Sequence, residues 1–152
     1  MHLVHTEFIT VPRDVFWKTW INVPEWHAWD LSILSTQIEE TAQETKAGTF
    51  ILEKGHTQKF RFTKVEPETM YAFEVNLPFS NIYVTRKMEP LANGVLVTHE
   101  FKTDGALLLP NAFYRSAKKH FRQSLIKLKY LVEENYWRGS ISKIHIDDKM
   151  CA

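Results

Sequence analysis

Three side chains that can donate or transfer protons, Tyr71, Arg86 and His99, fall at matching positions in a run of predicted strands. A simple antiparallel register across the turn at 92–94 places Arg86 opposite His99, and the same register across the turn at 77–80 places Tyr71 beside Arg86. A guanidinium, an imidazole and a phenol on one face would offer donors to a carboxylate, an enolate or a carbonyl oxygen. In an enzyme, His99 would act as a general base while Arg86 and Tyr71 stabilise an enolate.

The neighbours of this group are apolar, so the register also decides how Arg86 is accommodated. It sets Met88 opposite Val97, sets Val84 opposite Phe101 and adds Phe73 to the same face. An arginine buried there would need a ligand, a carboxylate such as Glu74, or ordered water as partner. A β-bulge would instead send Arg86 to solvent, with His99 bonded to a neighbour. No Ser or Cys lies in a recognisable nucleophile elbow, so covalent catalysis has no support.

The sequence predicts no metal site and no cofactor. Its histidines are scattered along the chain, and the side chains of His2 and His5 would point to opposite faces of one strand. Convergent ligand geometry is not suggested by these spacings, and no cofactor-binding motif is present.

The residues before the run of strands are rich in tryptophan. Four of the five tryptophans fall between Trp17 and Trp29. Two short helices are predicted here, each with a proline, Pro12 or Pro24, at its first position. So many indole rings need a large surface to cover them. The tryptophan side chains would lie in the core, or, for Trp26 and Trp29, at the rim of a cavity.

Seven strands and one long helix are predicted around these short helices. Alternation and turn residues place the strands at 3–11, 32–40, 48–54, 58–65, 70–76, 81–89 and 95–102. Apolar residues at helical spacing indicate a helix from Pro110 to about Tyr136, with Phe113, Ala117 and Phe121 on its buried stripe. One strand stays ambiguous, because register turns Arg61 inward whereas hydrophobicity turns Phe60 and Phe62 inward, and a bulge would satisfy both.

Composition fits one globular domain of 152 residues, 44% hydrophobic, with a net charge of +1. We expect a domain at 1–136 and a loosely packed tail at 137–152. The lone Cys151 cannot form an internal disulfide, and the start of the chain lacks the features of a signal peptide, so a cytoplasmic location is expected. No apolar run is long enough to span a membrane.

The order of these elements, together with several local motifs, resembles the polyketide cyclase and lipid transport (SRPBCC, START-like, Bet v 1-like) superfamily. The motifs are Pro12, Val15, Trp17, Trp26 and Trp29 in the opening segment, Val65-Glu66-Pro67, Glu89-Pro90 with Asn93-Gly94, Thr98-His99, and the helical segment 128–133. The resemblance covers about residues 3–136. It implies an α+β helix-grip fold, in which a seven-stranded curved antiparallel sheet surrounds the long C-terminal helix and two short helices separate strands 1 and 2. Such a scaffold does not fix an activity.

The resemblance implies a cavity between the concave sheet and the long helix. We therefore expect intracellular binding of a hydrophobic or amphipathic small molecule, with a cyclase/aromatase-like enzyme using His99, Arg86 and Tyr71, or a partner-binding module with a filled cavity, as alternatives. The expected ligand contacts are Trp26, Trp29, Tyr71, Phe73, Val84, Arg86, Met88, Val97, His99, Phe101, Phe113, Ala117 and Phe121.

Two features of the sequence bear on larger partners. The loops at 77–79 and 104–110 are apolar and would form a gate, a contact surface, or simply part of the core. The long helix has no acidic residue before Glu133 and presents a basic face that is either merely solvated or in contact with anionic lipid. We expect no nucleic-acid partner, since no interleaved aromatic motif accompanies these charges, and no obligate protein partner can be inferred.

Overall fold

The computed structural model of the protein describes residues 1–38, 43–52, 55–105 and 111–150, and the side chains of residues 105, 111–114 and 141–150 lie outside this description. In these described residues, seven strands, an α-helix and a 3₁₀ helix precede one long C-terminal helix. In chain order they are β1 (His2–Ile9), α1 (Arg13–Trp20), the 3₁₀ helix (Val23–Ala28), β2 (Ile33–Gln37), β3 (Ala47–Leu52), β4 (Thr57–Glu66), β5 (Met70–Leu77), β6 (Ser80–Leu91), β7 (Gly94–Gly105) and α2 (Asn111–Met150).

The strands form one antiparallel sheet in the order β1-β7-β6-β5-β4-β3-β2. Strands β2 to β7 pair with their neighbours in sequence, as expected of a meander, while β1 pairs with β7 and forms one edge of the sheet. The curved sheet and its long helix confirm the α+β fold and the seven predicted strands. The apolar loop at 106–110, which connects β7 to α2, lies outside the described residues.

The two prolines begin the short helices as expected, with a small shift. Pro12 is the residue before α1, and its carbonyl accepts the first helical hydrogen bond from the amide of Phe16 at 3.0 Å. Pro24 is the second residue of the 3₁₀ helix rather than its first. Because proline has no amide hydrogen to place, both positions are compatible with the start of a helix.

A β-bulge resolves the ambiguity in β4. Phe62 pairs with Phe73 whereas Lys64 pairs with Ala72, so Thr63 is an extra residue in the β4–β5 ladder. The bulge lets Phe60 and Phe62 both face the core, where they are almost fully buried. It leaves Arg61 exposed on the outer face, paired with Glu74.

Helix α2 continues well beyond the predicted end at Tyr136 and reaches Met150. Its buried stripe of Leu125, Leu128 and Val132 lies before that point. Apolar periodicity marks only the packed part of a helix, and a later turn is supported instead by an ion pair four residues apart, between Glu134 and Arg138 at 2.5 Å. The separation of a loosely packed tail at 137–152 stays a prediction.

The core lies between the inner face of the sheet and the helical elements. Trp20, Trp26 and Trp29 are completely buried there. The Trp26 ring packs at 5.3–6.0 Å, centroid to centroid, against rings from three neighbouring strands: Phe50, Phe60, Phe62, Tyr71 and Phe73. The tryptophan-rich segment therefore covers the sheet from β3 to β5.

Candidate functional site

The three residues singled out by their chemistry meet on the inner face, in the predicted register. Arg86 pairs with Tyr71 on β5 and with His99 on β7. All three side chains are buried, with relative exposures of 0% for Tyr71, 4% for Arg86 and 2% for His99. The sheet thus places a guanidinium, a phenol and an imidazole side by side in the interior.

The partner of Arg86 is an aspartate from the opposite layer. Arg86 Nη2 donates to Asp30 Oδ2 at 2.9 Å, and Nη1 donates to the Tyr71 hydroxyl at 3.0 Å. Glu74 does not serve this role, because it faces outward and accepts a hydrogen bond from Arg61 Nε at 3.2 Å. The buried positive charge is therefore compensated within the protein, as burial of an ion requires.

Asp30 was not predicted as a site residue, and its own surroundings hold it in place. It follows the 3₁₀ helix, and its backbone amide donates to the Trp26 carbonyl at 2.8 Å. Its second carboxylate oxygen accepts from the amide and the hydroxyl of Ser32, at 3.1 and 2.6 Å. A buried arginine that demands a carboxylate, together with an aspartate at the end of the tryptophan-rich segment, was the signal that could have identified it.

The Tyr71 hydroxyl links the sheet to helix α1. It accepts from Arg86 and donates to the backbone carbonyl of Trp20 at 2.9 Å, a carbonyl that also accepts from Trp26 Nε1 at 2.9 Å. Burial raises the pKa of Tyr71 well above its usual value, although the Arg86 charge acts in the opposite direction. Tyr71 is therefore a neutral phenol with both hydrogen-bonding roles filled.

The His99 ring already has a hydrogen-bond partner, the indole of Trp20. Trp20 Nε1 donates to His99 Nε2 at 3.0 Å, and the two rings are nearly parallel, with centroids 5.8 Å apart. An indole nitrogen can only donate, so Nε2 is the acceptor and a neutral ring carries its proton on Nδ1. Burial lowers the pKa of His99 well below its usual value, and the charges of Arg86 and His5 lower it further.

Aromatic faces surround the guanidinium. Its central carbon lies 4.8 Å from the Trp26 ring centroid and 4.7 Å from that of Trp29, close enough for cation–π attraction. Within the described part of the chain, Arg86 Nε and Trp29 Nε1 are buried without a hydrogen-bond acceptor. We call Asp30, Tyr71, Arg86, His99 and Trp20 the polar cluster.

The other predicted contact residues divide into two groups. Trp26, Trp29, Phe73, Val84, Met88 and Val97 are buried. Phe101, Ala117 and Phe121 are only half-buried, and the Phe101 and Phe121 rings meet at 6.2 Å. The Phe113 side chain lies outside the described residues. Full burial of Trp26 and Trp29 among aromatic rings matches the core alternative rather than a cavity rim, and their contact with a ligand stays a prediction.

A half-buried apolar patch lies at one end of the inner face. It comprises Leu77, Ile82, Phe101, Ala117 and Phe121, two or more residues along the strands from Arg86 and His99. Two surface clefts lie elsewhere: one of about 620 Å³ at β3 and β4, and one of about 330 Å³ where α1 and the 3₁₀ helix meet α2. The second cleft is lined largely by the tryptophan-rich segment, through Lys18, Thr19, Asn22, Glu25, Ala28 and Trp29, but no residue of the polar cluster lines either cleft.

Neither a metal site nor a membrane-spanning helix is found in the described parts of the chain. No three His, Cys, Asp or Glu side chains there are grouped to hold a metal ion. Among the same residues, no helix combines the length and the apolar character needed to cross a bilayer.

Solved structures share this fold at low sequence identity. Protein MLL2253 from Mesorhizobium loti is 17% identical with a TM-score of 0.72, covering 88% of this chain and 98% of its own. The Zhui aromatase/cyclase from Streptomyces sp. R1128 is 16% identical with a TM-score of 0.69, at 90% and 95% coverage. Ara h 8.0201 is 14% identical with a TM-score of 0.65, at 87% and 97% coverage. These similarities establish the fold alone.

The sequence itself matches one family model across most of its length. A search of curated proteins finds no match. The model described as "Polyketide cyclase / dehydrase and lipid transport" matches residues 1–133, which span every strand and the packed part of α2. The chain therefore belongs to the polyketide cyclase/dehydrase and lipid transport family.

Proposed function

We propose that the protein binds a hydrophobic or amphipathic small molecule at the apolar patch, between the end of the sheet and the first third of α2, without catalysing a reaction. The observation that carries this proposal is the uneven packing of the inner face. In the middle of the inner face Phe50, Phe60, Phe62, Tyr71, Phe73 and Val84 are almost completely buried, whereas Leu77, Ile82 and Phe101 at one end, and Phe121 above them, are half-buried. An apolar ligand would cover this remaining surface.

The polar cluster supports binding rather than catalysis. A general base needs a free lone pair directed at substrate, but His99 Nε2 already accepts from Trp20 at 3.0 Å. The phenol of Tyr71 and two terminal nitrogens of Arg86 are likewise engaged. The cluster connects α1, the 3₁₀ helix and the sheet, so it supports a rigid wall beside the ligand.

Native mass spectrometry of gently purified protein, followed by titration with a fluorescent fatty-acid analogue, tests the proposal. Ile82→Trp would fill the apolar patch and should weaken probe binding at least about tenfold, the equivalent of one lost well-buried apolar contact. Val4→Trp is the matched control, since Val4 is 56% exposed, and it should bind like the parent protein.

Binding of a stoichiometric ligand or probe that Ile82→Trp abolishes and Val4→Trp retains supports the proposal. Absence of any ligand and of probe binding would overturn it and favour a partner-binding module with a filled interior. Once a ligand is identified, its turnover by the parent protein but not by His99→Gln would instead establish the cyclase-type alternative.

A further inference from the structure

The first turns of α2 carry a concentrated positive charge on one stripe. Arg115, Lys118, Lys119 and Arg122 follow the spacing i, i+3, i+4, i+7 and are all exposed. None of the four forms a salt bridge with any residue that the structure describes, and the helix has no acidic residue before Glu133. We call these four residues the basic stripe.

A large apolar side chain is exposed at the hairpin between β5 and β6. Phe79 is 90% exposed, the highest value among the large apolar residues described, and its backbone has a φ of 69°. The left-handed region disfavours a bulky residue by roughly 1–2 kcal/mol. The two-residue turn of Pro78 and Phe79, which joins the paired Leu77 and Ser80, accounts for this backbone conformation but not for a large aromatic side chain at the position. The ring itself contributes no burial to the folded protein, and contact with an apolar partner would remove it from water.

Topology brings Phe79 and the basic stripe to the same end of the molecule. Ser80, next to Phe79, pairs with Gly105 at the last position of β7. Six peptide units then lead to Asn111 at the start of α2, a span of at most about 20 Å. The contact of Phe121 with Phe101 holds the first third of α2 over this end of the sheet. The apolar patch lies here as well, so the ligand site of the proposed function would open toward Phe79.

We propose that this end of the protein docks on an anionic lipid bilayer, with Phe79 entering the headgroup region and the basic stripe contacting lipid phosphates. Charge complementarity favours an anionic surface, and the exposed ring adds apolar burial that a purely electrostatic contact does not use. The idea that docking lets a ligand pass between the bilayer and the binding site rests on the proposed function. The contact between this surface and the bilayer does not depend on it.

Flotation with liposomes of phosphatidylcholine alone, or with 30 mol% phosphatidylglycerol, tests the docking. The parent protein should bind only the anionic liposomes, and less at high salt. Lys118→Ala/Lys119→Ala should weaken binding about 25-fold, since each basic residue near such a surface contributes about a factor of five. The matched control Lys87→Ala/Lys102→Ala removes the same charge from exposed positions on the outer face of the sheet and should leave binding unchanged.

A second pair of variants tests how much the Phe79 ring contributes to liposome binding. Phe79→Ser should weaken binding at least fivefold, while Leu91→Ser, at the opposite hairpin tip and 48% exposed, should not. Circular dichroism checks that each variant is folded. Ile82→Trp should bind anionic liposomes like the parent protein even if it abolishes probe binding. Failure of the ligand proposal can therefore be distinguished from failure of the docking proposal.

Lack of binding to anionic liposomes, or equal losses in the lysine pairs, would overturn the inference. So would tight binding to single-stranded RNA that depends on Lys118 and Lys119 while liposomes are not bound, because the stripe would then serve a nucleic acid.

Discussion

The indole N–H of Trp20 donates to His99 Nε2 at 3.0 Å, while the backbone carbonyl of the same residue accepts from Tyr71 and Trp26. The last residue of α1 thereby contacts the 3₁₀ helix, β5 and β7 at once. Every one of these polar groups is buried and has no access to water, so each needs a hydrogen-bond partner within the protein. Trp20 therefore fixes how the tryptophan-rich segment sits on the sheet.

Trp20→Phe should destabilise the protein by about 2–4 kcal/mol. The substitution leaves His99 Nε2 buried without its donor and removes part of a fully buried indole, whereas the backbone carbonyl keeps its two donors. Urea unfolding measures the loss. Trp137→Phe is the control, because Trp137 is 52% exposed, and it should change stability by less than about 0.5 kcal/mol. Equal effects of the two variants would contradict this role for Trp20.

Asp30→Asn should destabilise the fold by about 3–5 kcal/mol, because it leaves the Arg86 charge buried without its counter-ion. Removing both charges in Asp30→Asn/Arg86→Met should restore part of that stability, as expected where an isolated charge is worse than none. Chemical denaturation of the single and double variants gives the coupling between them.

The exposed pair of Arg13 and Glu68 provides the control for this cycle. Its side chains are 49% and 38% exposed, and Glu68→Gln should change stability by less than about 1 kcal/mol. A double variant no more stable than Asp30→Asn alone would show that Arg86 does not depend on Asp30 for its charge compensation.

The buried His99 should make stability depend on pH in mild acid. Its folded-state pKa lies well below the ordinary value of 6.5, since burial disfavours the charged ring. The unfolded chain therefore binds a proton that the native protein does not, and the stability present above pH 6.5 is lost as pH falls toward the folded-state pKa. The slope contributed by one such group is at most about 1.4 kcal/mol per pH unit.

Urea unfolding at several pH values between 5 and 7 checks this slope. His99→Gln should be less stable than the parent protein at pH 7 but lose less further stability on acidification. His27→Gln, at an exposed position, should keep the parent's slope. An unchanged slope in His99→Gln would show that another group controls the acid sensitivity.

Some parts of this architecture could be predicted from the sequence and others could not, for physical reasons. Short turns at 77–80 and 92–94 fix side-chain parity, so the pairs Arg86–His99 and Arg86–Tyr71 followed directly from the register. The bulge at Thr63 could not be chosen on sequence grounds, because register and hydrophobicity gave opposite answers in β4. Local patterns say nothing about which residue of one layer faces which residue of the next, and Asp30 was missed for that reason.

Substitution by alanine should affect stability differently at Gly48 and at Gly139. A Cβ on Gly48 would lie 2.5 Å from Phe60 Cζ and 3.1 Å from the Gln37 carbonyl, whereas nothing lies within 4 Å of a Cβ on Gly139 in α2. Phe60 cannot easily yield, because it is stacked on Phe50 at 4.0 Å and packs against Trp26. Gly48→Ala should therefore destabilise the protein by about 1–3 kcal/mol through overpacking.

Gly139→Ala should instead be neutral or stabilising by up to about 1 kcal/mol, because alanine loses less backbone entropy in a helix and meets no neighbour. Thermal and urea unfolding of both variants measure the difference. A stabilising effect of Gly48→Ala would mean that the stack of Phe50 and Phe60 relaxes easily. The part of the core beneath Trp26 would then be loosely packed, and an apolar ligand could be accommodated there as well as at the apolar patch.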